Sequence, residues 1–207
     1  MCRHPITATI CVVASVVASA QVNSGTSPQT EQVETGTVPW TQAHPNEIRE
    51  LRPARSMLNY RIRLLPLSSF PQLPPPVVQQ LSQKGCMIPQ TYEAHEPENV
   101  IQGSFEKLGS HDWAALCSIK GVTTLYVFFQ SDLANPIPLR HQPDNQWLGV
   151  EWSLDYGSAW GIATRPARML RPRASADHDG IQDSDIEQSS TIHYYDKGRW
   201  TTRDSGE

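Results

Sequence analysis

The chain has 207 residues, a formal net charge of −4, 38% hydrophobic residues and a mean hydropathy of −0.45. That length holds one domain with a real core plus extensions, and the low hydropathy places part of the chain outside that core. The mildly acidic balance excludes the electrostatic footprint of a nucleic-acid binder.

Residues 1–20, MCRHPITATICVVASVVASA, carry Arg3 and His4, an apolar run from Ile10 to Val17, and the small-residue triplet Ala18-Ser19-Ala20. This is the order of a secretory signal peptide with cleavage expected after Ala20. The apolar run is too short for a permanent anchor, and no later stretch is long enough to span a bilayer. Cleavage removes Cys2, Cys11 and Arg3, leaving 16 basic and 21 acidic residues and a net charge of −5. Two cysteines remain, Cys86 and Cys117. In an oxidising compartment, with no third thiol to compete, they are expected to form one disulfide. Closing a loop of that length should contribute about 3–4 kcal/mol on the chain-entropy model.

Residues 21–55 open with Thr, Gln, Ser, Gly and Pro and few large apolar side chains. Such a segment buries too little surface to offset its ordering entropy, so a disordered leader is expected over 21–55, broken at most by a short helix at NEIREL. The ordered domain is expected over 56–207. Tyr60, Ile62 and Leu64 alternate with Arg61 and Arg63 in the period of a half-buried strand. FPQLPPPVVQQLSQKG then predicts a helix, with prolines in its first turn, Val77, Val78 and Leu81 on one face, and Gly85 as its left-handed stop. Everything after it reads as β. CMIPQ is a short edge piece, and NVIQGSF, DWAALCSI and TTLYVFF are strands, the last two joined by a tight turn at Lys120-Gly121. QWLGVEWSLDY puts Val150, Trp152 and Leu154 on one face, and SAWGIAT is expected to pair back on it across Tyr156-Gly157. TIHYYDKGRWTT is a hairpin around Asp196-Lys197-Gly198. The fold class is therefore α+β: mainly antiparallel β hairpins with one short helix, stapled by a disulfide.

GSFEKLGSHDWAALCSIKGVTTLYVFF, residues 103–129, runs from small-x-Phe through a polar loop to an acid, a strand, a turn and a second strand. It resembles one blade repeat of the calcium-binding FG-GAP/VCBS class of β-propellers. Phe105, Glu106, Gly109 and Asp112 match by position, while Leu108 occupies the seat of a metal-ligating acid. Hard cations need six to eight oxygens, so this loop is expected to have lost the metal, leaving Asp112 to cap the turn through backbone hydrogen bonds. A second match, ADHDGIQDSDIE, sets Asp177, Asp179 and Asp183 in D-x-D-G-x-x-D spacing around Gly180, with Asp185 and Glu187 beyond. It reads either as a weak Ca²⁺ loop or as a solvated acidic turn; Ile186 at position twelve rules out an EF-hand. No other cofactor is implied. Two faint repeats are too few for a propeller. The chain also resembles small exported bacterial proteins with a C-x-IPQ…G-x-F…DWA-x-LCS pattern, a likeness that names a type without a function.

Arg165, Arg168, Arg171 and Arg173 lie within nine residues. They read as a solvated loop balanced by the following acids, or as a site for an anionic envelope polymer. Trp113, Trp147, Trp152, Trp160 and Trp200 read as core or as a sugar-stacking surface. Histidines at 95, 111, 178 and 193 are scattered, and no GxSxG, HExxH or phosphate loop occurs. The expectation is an exported, monomeric, non-catalytic domain with a binding or structural role and an unidentified partner. The alternative is a small cell-envelope hydrolase.

Overall fold

A computed structural model describes residues 29–39, 42, 57–150, 156–170, 176–186 and 188–204. The signal-like segment, NEIREL, Trp152, Leu154, Arg171, Arg173 and Glu187 lie outside the described residues.

The chain is mostly β, in three largely antiparallel sheets. The first holds β1 (Gln32–Pro39), β2 (Met57–Leu65), β9 (Tyr156–Ser158) and β8 (Leu148–Val150) in that order, with β3 (Ile88–Pro89) pairing the end of β2. The second is a meander of β4 (Val100–Gly103), β5 (Asp112–Ile119), β6 (Val122–Phe129) and β7 (Asp132–Pro143). The third is another meander, β10 (Trp160–Arg165), β11 (Gly180–Asp185), β12 (Ser189–Asp196) and β13 (Arg199–Asp204). Helix α1 (Pro75–Lys84) covers the second sheet, and a four-residue turn of helix, α2 (Ala167–Leu170), follows β10.

The turns follow from backbone chemistry. Lys120-Gly121 (φ 52° and 80°) and Lys197-Gly198 (φ 50° and 82°) are both left-handed pairs. Two consecutive positive φ values match the twist of a tight hairpin, which is why glycine follows lysine in each. Helix α1 starts on prolines and ends at Gly85 (φ 73°), where Gly85 N–H donates to the Ser82 carbonyl and Cys86 N–H to the Leu81 carbonyl. That Schellman stop aims Cys86 at the second sheet. The Cys86–Cys117 bond joins helix end to central strand across a Cα–Cα distance of 5.2 Å.

Strand β5, DWAALCSI, is covered on both faces. Trp113, Ala115 and Cys117 face a core under α1 with Phe70, Leu73, Val77, Leu81 and Phe128. Ala114 and Leu116 face a second core with Phe105 and Leu125 and with Trp160, Ile162 and Ile181 of the third sheet. A strand buried on both faces has no polar side to show. A third core, Val38, Tyr60, Ile62, Leu64, Met87, Leu148 and Tyr156, lines the first sheet.

Three expectations are corrected. First, β1 lies inside the segment read as a disordered leader. It pairs residue for residue with β2, from Gln32↔Leu64 to Pro39↔Met57, and buries Val38. An edge strand needs only one such anchor once its backbone is paired, so composition understated it. Second, SAWGIAT does not fold back on the preceding strand. Residues 156–158 pair with β8, the chain crosses at buried Ala159, and Trp160–Arg165 joins β11 in the third sheet. Third, the acidic stretch read as a loop is strand from Gly180 onward.

Asn99 ties the three sheets together. It is 2% exposed and sits at φ 67°, a conformation asparagine tolerates. Its amide donates to the Pro89 carbonyl (2.8 Å) and the Trp160 carbonyl (3.1 Å), and its Oδ1 accepts from Ile162 N–H (3.0 Å). Its own carbonyl accepts from Leu116 N–H (3.0 Å).

Candidate functional site

Over the outer face of the first sheet lies a polar recess of about 220 Å³. One wall comes from β2, whose period-2 pattern turns Tyr60, Ile62 and Leu64 inward and leaves Arg61 and Arg63 on the outer face. Gln90, Thr91, Tyr92, Ala94 and His95, from the loop over residues 90–98, form another wall. Buried Gln90 holds this loop closed: its amide donates to the Ile88, Pro89 and Glu98 carbonyls (3.2, 3.3 and 3.1 Å), and its Oε1 accepts from Glu98 N–H (2.8 Å). Thr91 Oγ1 adds a bond to Glu98 Oε2 (2.8 Å).

The loop is docked as well as closed. Gln90 N–H donates to the Arg63 carbonyl (2.9 Å), and Tyr92 N–H to the Ser158 carbonyl (2.8 Å). The Tyr92 side chain lies on the paired glycines Gly149 and Gly157, where an added Cβ would come within 2.1 and 2.7 Å of it. Glycine at both positions is therefore a condition for the loop to sit where it does. Arg63 crosses the recess, donating from Nη1 to the Ala94 carbonyl (3.2 Å) and from Nε to Glu31 Oε1 (3.0 Å). His95 also lines it.

The residues singled out from sequence fall at separate places. Asp112 is fully buried and holds its turn as expected: Oδ2 accepts from Phe105 N–H and Glu106 N–H (both 2.7 Å) and from Ser110 Oγ (2.5 Å), while Oδ1 accepts from Gln130 N–H (2.8 Å). Asp177, Asp179 and Asp183 have three different sets of partners. Asp179 accepts from Ser104 N–H (3.0 Å) and Ala167 N–H (3.3 Å). Asp177 Oδ1 stands 2.6 Å from His178 Nδ1, and that hydrogen bond holds its carboxyl below the usual range. His178 Nε2 is 2.8 Å from the Tyr195 carbonyl, and its ring stacks on Tyr194.

Asp183 is buried within the third sheet. It accepts from Trp160 Nε1 (2.6 Å), His193 Nε2 (3.0 Å) and Arg140 Nη1 (3.3 Å). The Arg140 guanidinium also lies 4.1 Å from the Trp147 ring centre. Two residues along the same face, Asp185 is pushed up to about 6 by burial, with Arg140 acting in the opposite direction. Among the described residues its buried Oδ1 has no hydrogen-bond partner. Just past the end of β7, Asp144 accepts from the Ser118 hydroxyl on β5 and from Thr123 Oγ1 on β6 (2.7 Å). Burial and the neighbouring Asp144 raise the carboxyl of Glu34 on β1.

Of the arginine set, Arg165 ends β10 with Nη1 3.8 Å from Met169 Sδ, and Arg168 lies on α2. Of the tryptophans, Trp113 and Trp160 are core, and Trp147 and Trp200 pack half-buried against it. Histidines 95, 111, 178 and 193 do not converge: His95 lines the recess, His111 N–H bonds Gln130, His178 bonds Asp177 and His193 bonds Asp183. The recess and the Arg140–Asp183–Asp185 cluster were both missed from sequence. Each joins elements far apart in the chain, and the one local hint was the Arg61/Arg63 alternation.

Among the described residues no helix is long and apolar enough to cross a membrane. No family model, curated protein or solved structure matches the chain. Fold and site together define a three-sheet, disulfide-stapled β domain with a cationic recess on its first sheet.

Proposed function

We propose that this chain is an exported, monomeric domain that binds a small polar ligand in the recess of its first sheet and does not turn it over. The observation that carries this reading is the recess itself. Arg61 and Arg63 wall a cavity whose facing loop is fixed by four hydrogen bonds from one buried glutamine. A site held rigid before its ligand arrives loses less ordering entropy on binding. Export is supported by the signal-like start and by the pairing of the two cysteines that would survive cleavage.

A thermal scan against small polar compounds tests the binding half. A ligand held only by the native state raises the midpoint by linkage, and the Gln90→Ala variant should lose that rise. No shift with any compound class would sink it. Fractionation tests export: the full chain should reach the envelope or medium with no free thiol in its mature part. Two alkylatable thiols there would count against it.

The hydrolase alternative keeps one observation in its favour, the raised carboxyl of Asp185 beside Arg140 and the Asp183–His193 pair. A carboxyl near pH 6 suits general acid work. Hydrolysis of an envelope substrate that Asp185→Asn abolishes, with the fold intact, would replace the binding reading.

A further inference from the structure

The chemistry of the recess goes further than "polar", on the reading that it is the binding site. We infer that its ligand is a small oxyanion, a carboxylate or phosphate group read by Arg61 and Arg63, and that Glu31 competes with that anion for the Arg63 guanidinium.

The two arginines stand at i and i+2 on one face of β2, so their Cα atoms are about 7 Å apart and both guanidinium groups serve the same wall. Guanidinium matches carboxylate and phosphate oxygens in geometry as well as charge. Gln90, Thr91, Tyr92 and Ser158 add uncharged polar groups to the lining, His95 adds an imidazole, and no carboxylate is among the lining residues. The volume is below the roughly 300–1,000 Å³ of sites for drug-sized ligands, so the occupant is small.

Glu31 supplies the second argument. Its carboxylate already sits on Arg63 Nε at 3.0 Å, and both side chains of the pair are nearly half exposed (46% and 47%). Exposed pairs of this kind are weak, so a better-placed anion can displace it. The residue just before β1 therefore acts as an internal competitor, and it links occupancy of the recess to the docking of the N-terminal strand.

The test is a titration of the full chain with inorganic phosphate, with succinate and with the neutral polyol erythritol, followed by thermal midpoint and by calorimetry. Phosphate or succinate should bind and erythritol should not, and the contrast between the two anions identifies the group. Arg63→Gln should weaken anion binding about tenfold or more, the usual cost of losing a charge-assisted contact. Glu31→Gln should tighten it, and raised salt should weaken it. The Glu31 variant keeps the test decisive if the arginine variant folds poorly. Anion binding unchanged in Glu31→Gln would remove the competitor role. Binding of erythritol but neither anion would overturn the oxyanion while leaving a binding recess. Binding of none of the three in either the wild type or Glu31→Gln, with other compound classes also silent, would overturn both.

Discussion

The loop ending at Asp112 and the stretch from Asp177 to Asp183 look like two copies of one acidic pattern, yet the fold uses them in opposite ways. Asp112 gathers three donors from its own turn and a fourth from Gln130 just past the end of β6, and closes that turn. The later acids disperse. Asp179 holds amides from two other segments, and Asp183 enters a strand and accepts from donors on β7, β10 and β12. Spacing of carboxylates along a chain therefore does not define a cation site. What matters is whether their oxygens are already taken by N–H and O–H donors, and here most of them are.

The sharpest break of this contrast is Asp112→Ala. It leaves three amides without an acceptor and the Ser110 hydroxyl with only the Lys107 carbonyl, at about 1–1.5 kcal/mol for each orphaned amide, so a loss of about 4 kcal/mol is expected in urea unfolding. A loss under about 1 kcal/mol would mean that the turn closes by itself. Asp183→Ala should cost somewhat less, about 3 kcal/mol, because three donors are orphaned and Arg140 is partly exposed to water. Asp183→Asn should recover part of that through Trp160. Equal losses for alanine and asparagine would argue that the charge, and not the acceptor, is what the cluster needs.

A smaller effect separates Asp185 from its neighbour. Its carboxyl is raised from 3.8 to about 6, so the folded state holds that proton more tightly than the unfolded chain. The stability it contributes is complete below about pH 4 and is lost as pH rises toward about 6. Asp185→Asn should remove that decline from a stability–pH profile. A profile with the same slope between those values in both proteins would show that Asp185 ionises normally.

The smallest expected effect is calcium. With the oxygens of Asp179 and Asp183 on protein donors, Ca²⁺ should leave the thermal midpoint unmoved at micromolar concentration and shift it only slightly near 10 mM, the weak end of calcium modules. Saturation at micromolar calcium, abolished by Asp179→Ala, would restore a metal loop in place of the strand entry.

Much of the local structure was legible. The Lys-Gly turns, the Pro-to-Gly limits of α1 and the alternation in β2 are each decided within a few residues, by φ requirements or by which face is apolar. Less legible was β1, where TGTV looks like spacer until β2 lies beside it, and β7, whose prolines disguise a strand of twelve residues. The candidate site was harder still. Gln90 and Tyr92 read as ordinary loop residues, and the glycines that admit the Tyr92 side chain are 57 and 65 positions further along the chain.

From the sequence alone came the β-rich class, the helix and its stop, two hairpin turns, the capping role of Asp112 and the partnership of Cys86 with Cys117. Each rests on a short-range steric rule or on counting two thiols. Tertiary structure alone decided that residues 156–165 divide between two sheets, that Asn99 joins all three, that Asp183 is a buried acceptor, and that Arg61 and Arg63 wall a recess. Those outcomes depend on which surfaces meet across long loops. That is settled by packing and by satisfying buried polar groups over the whole molecule, and no window of a few residues contains it.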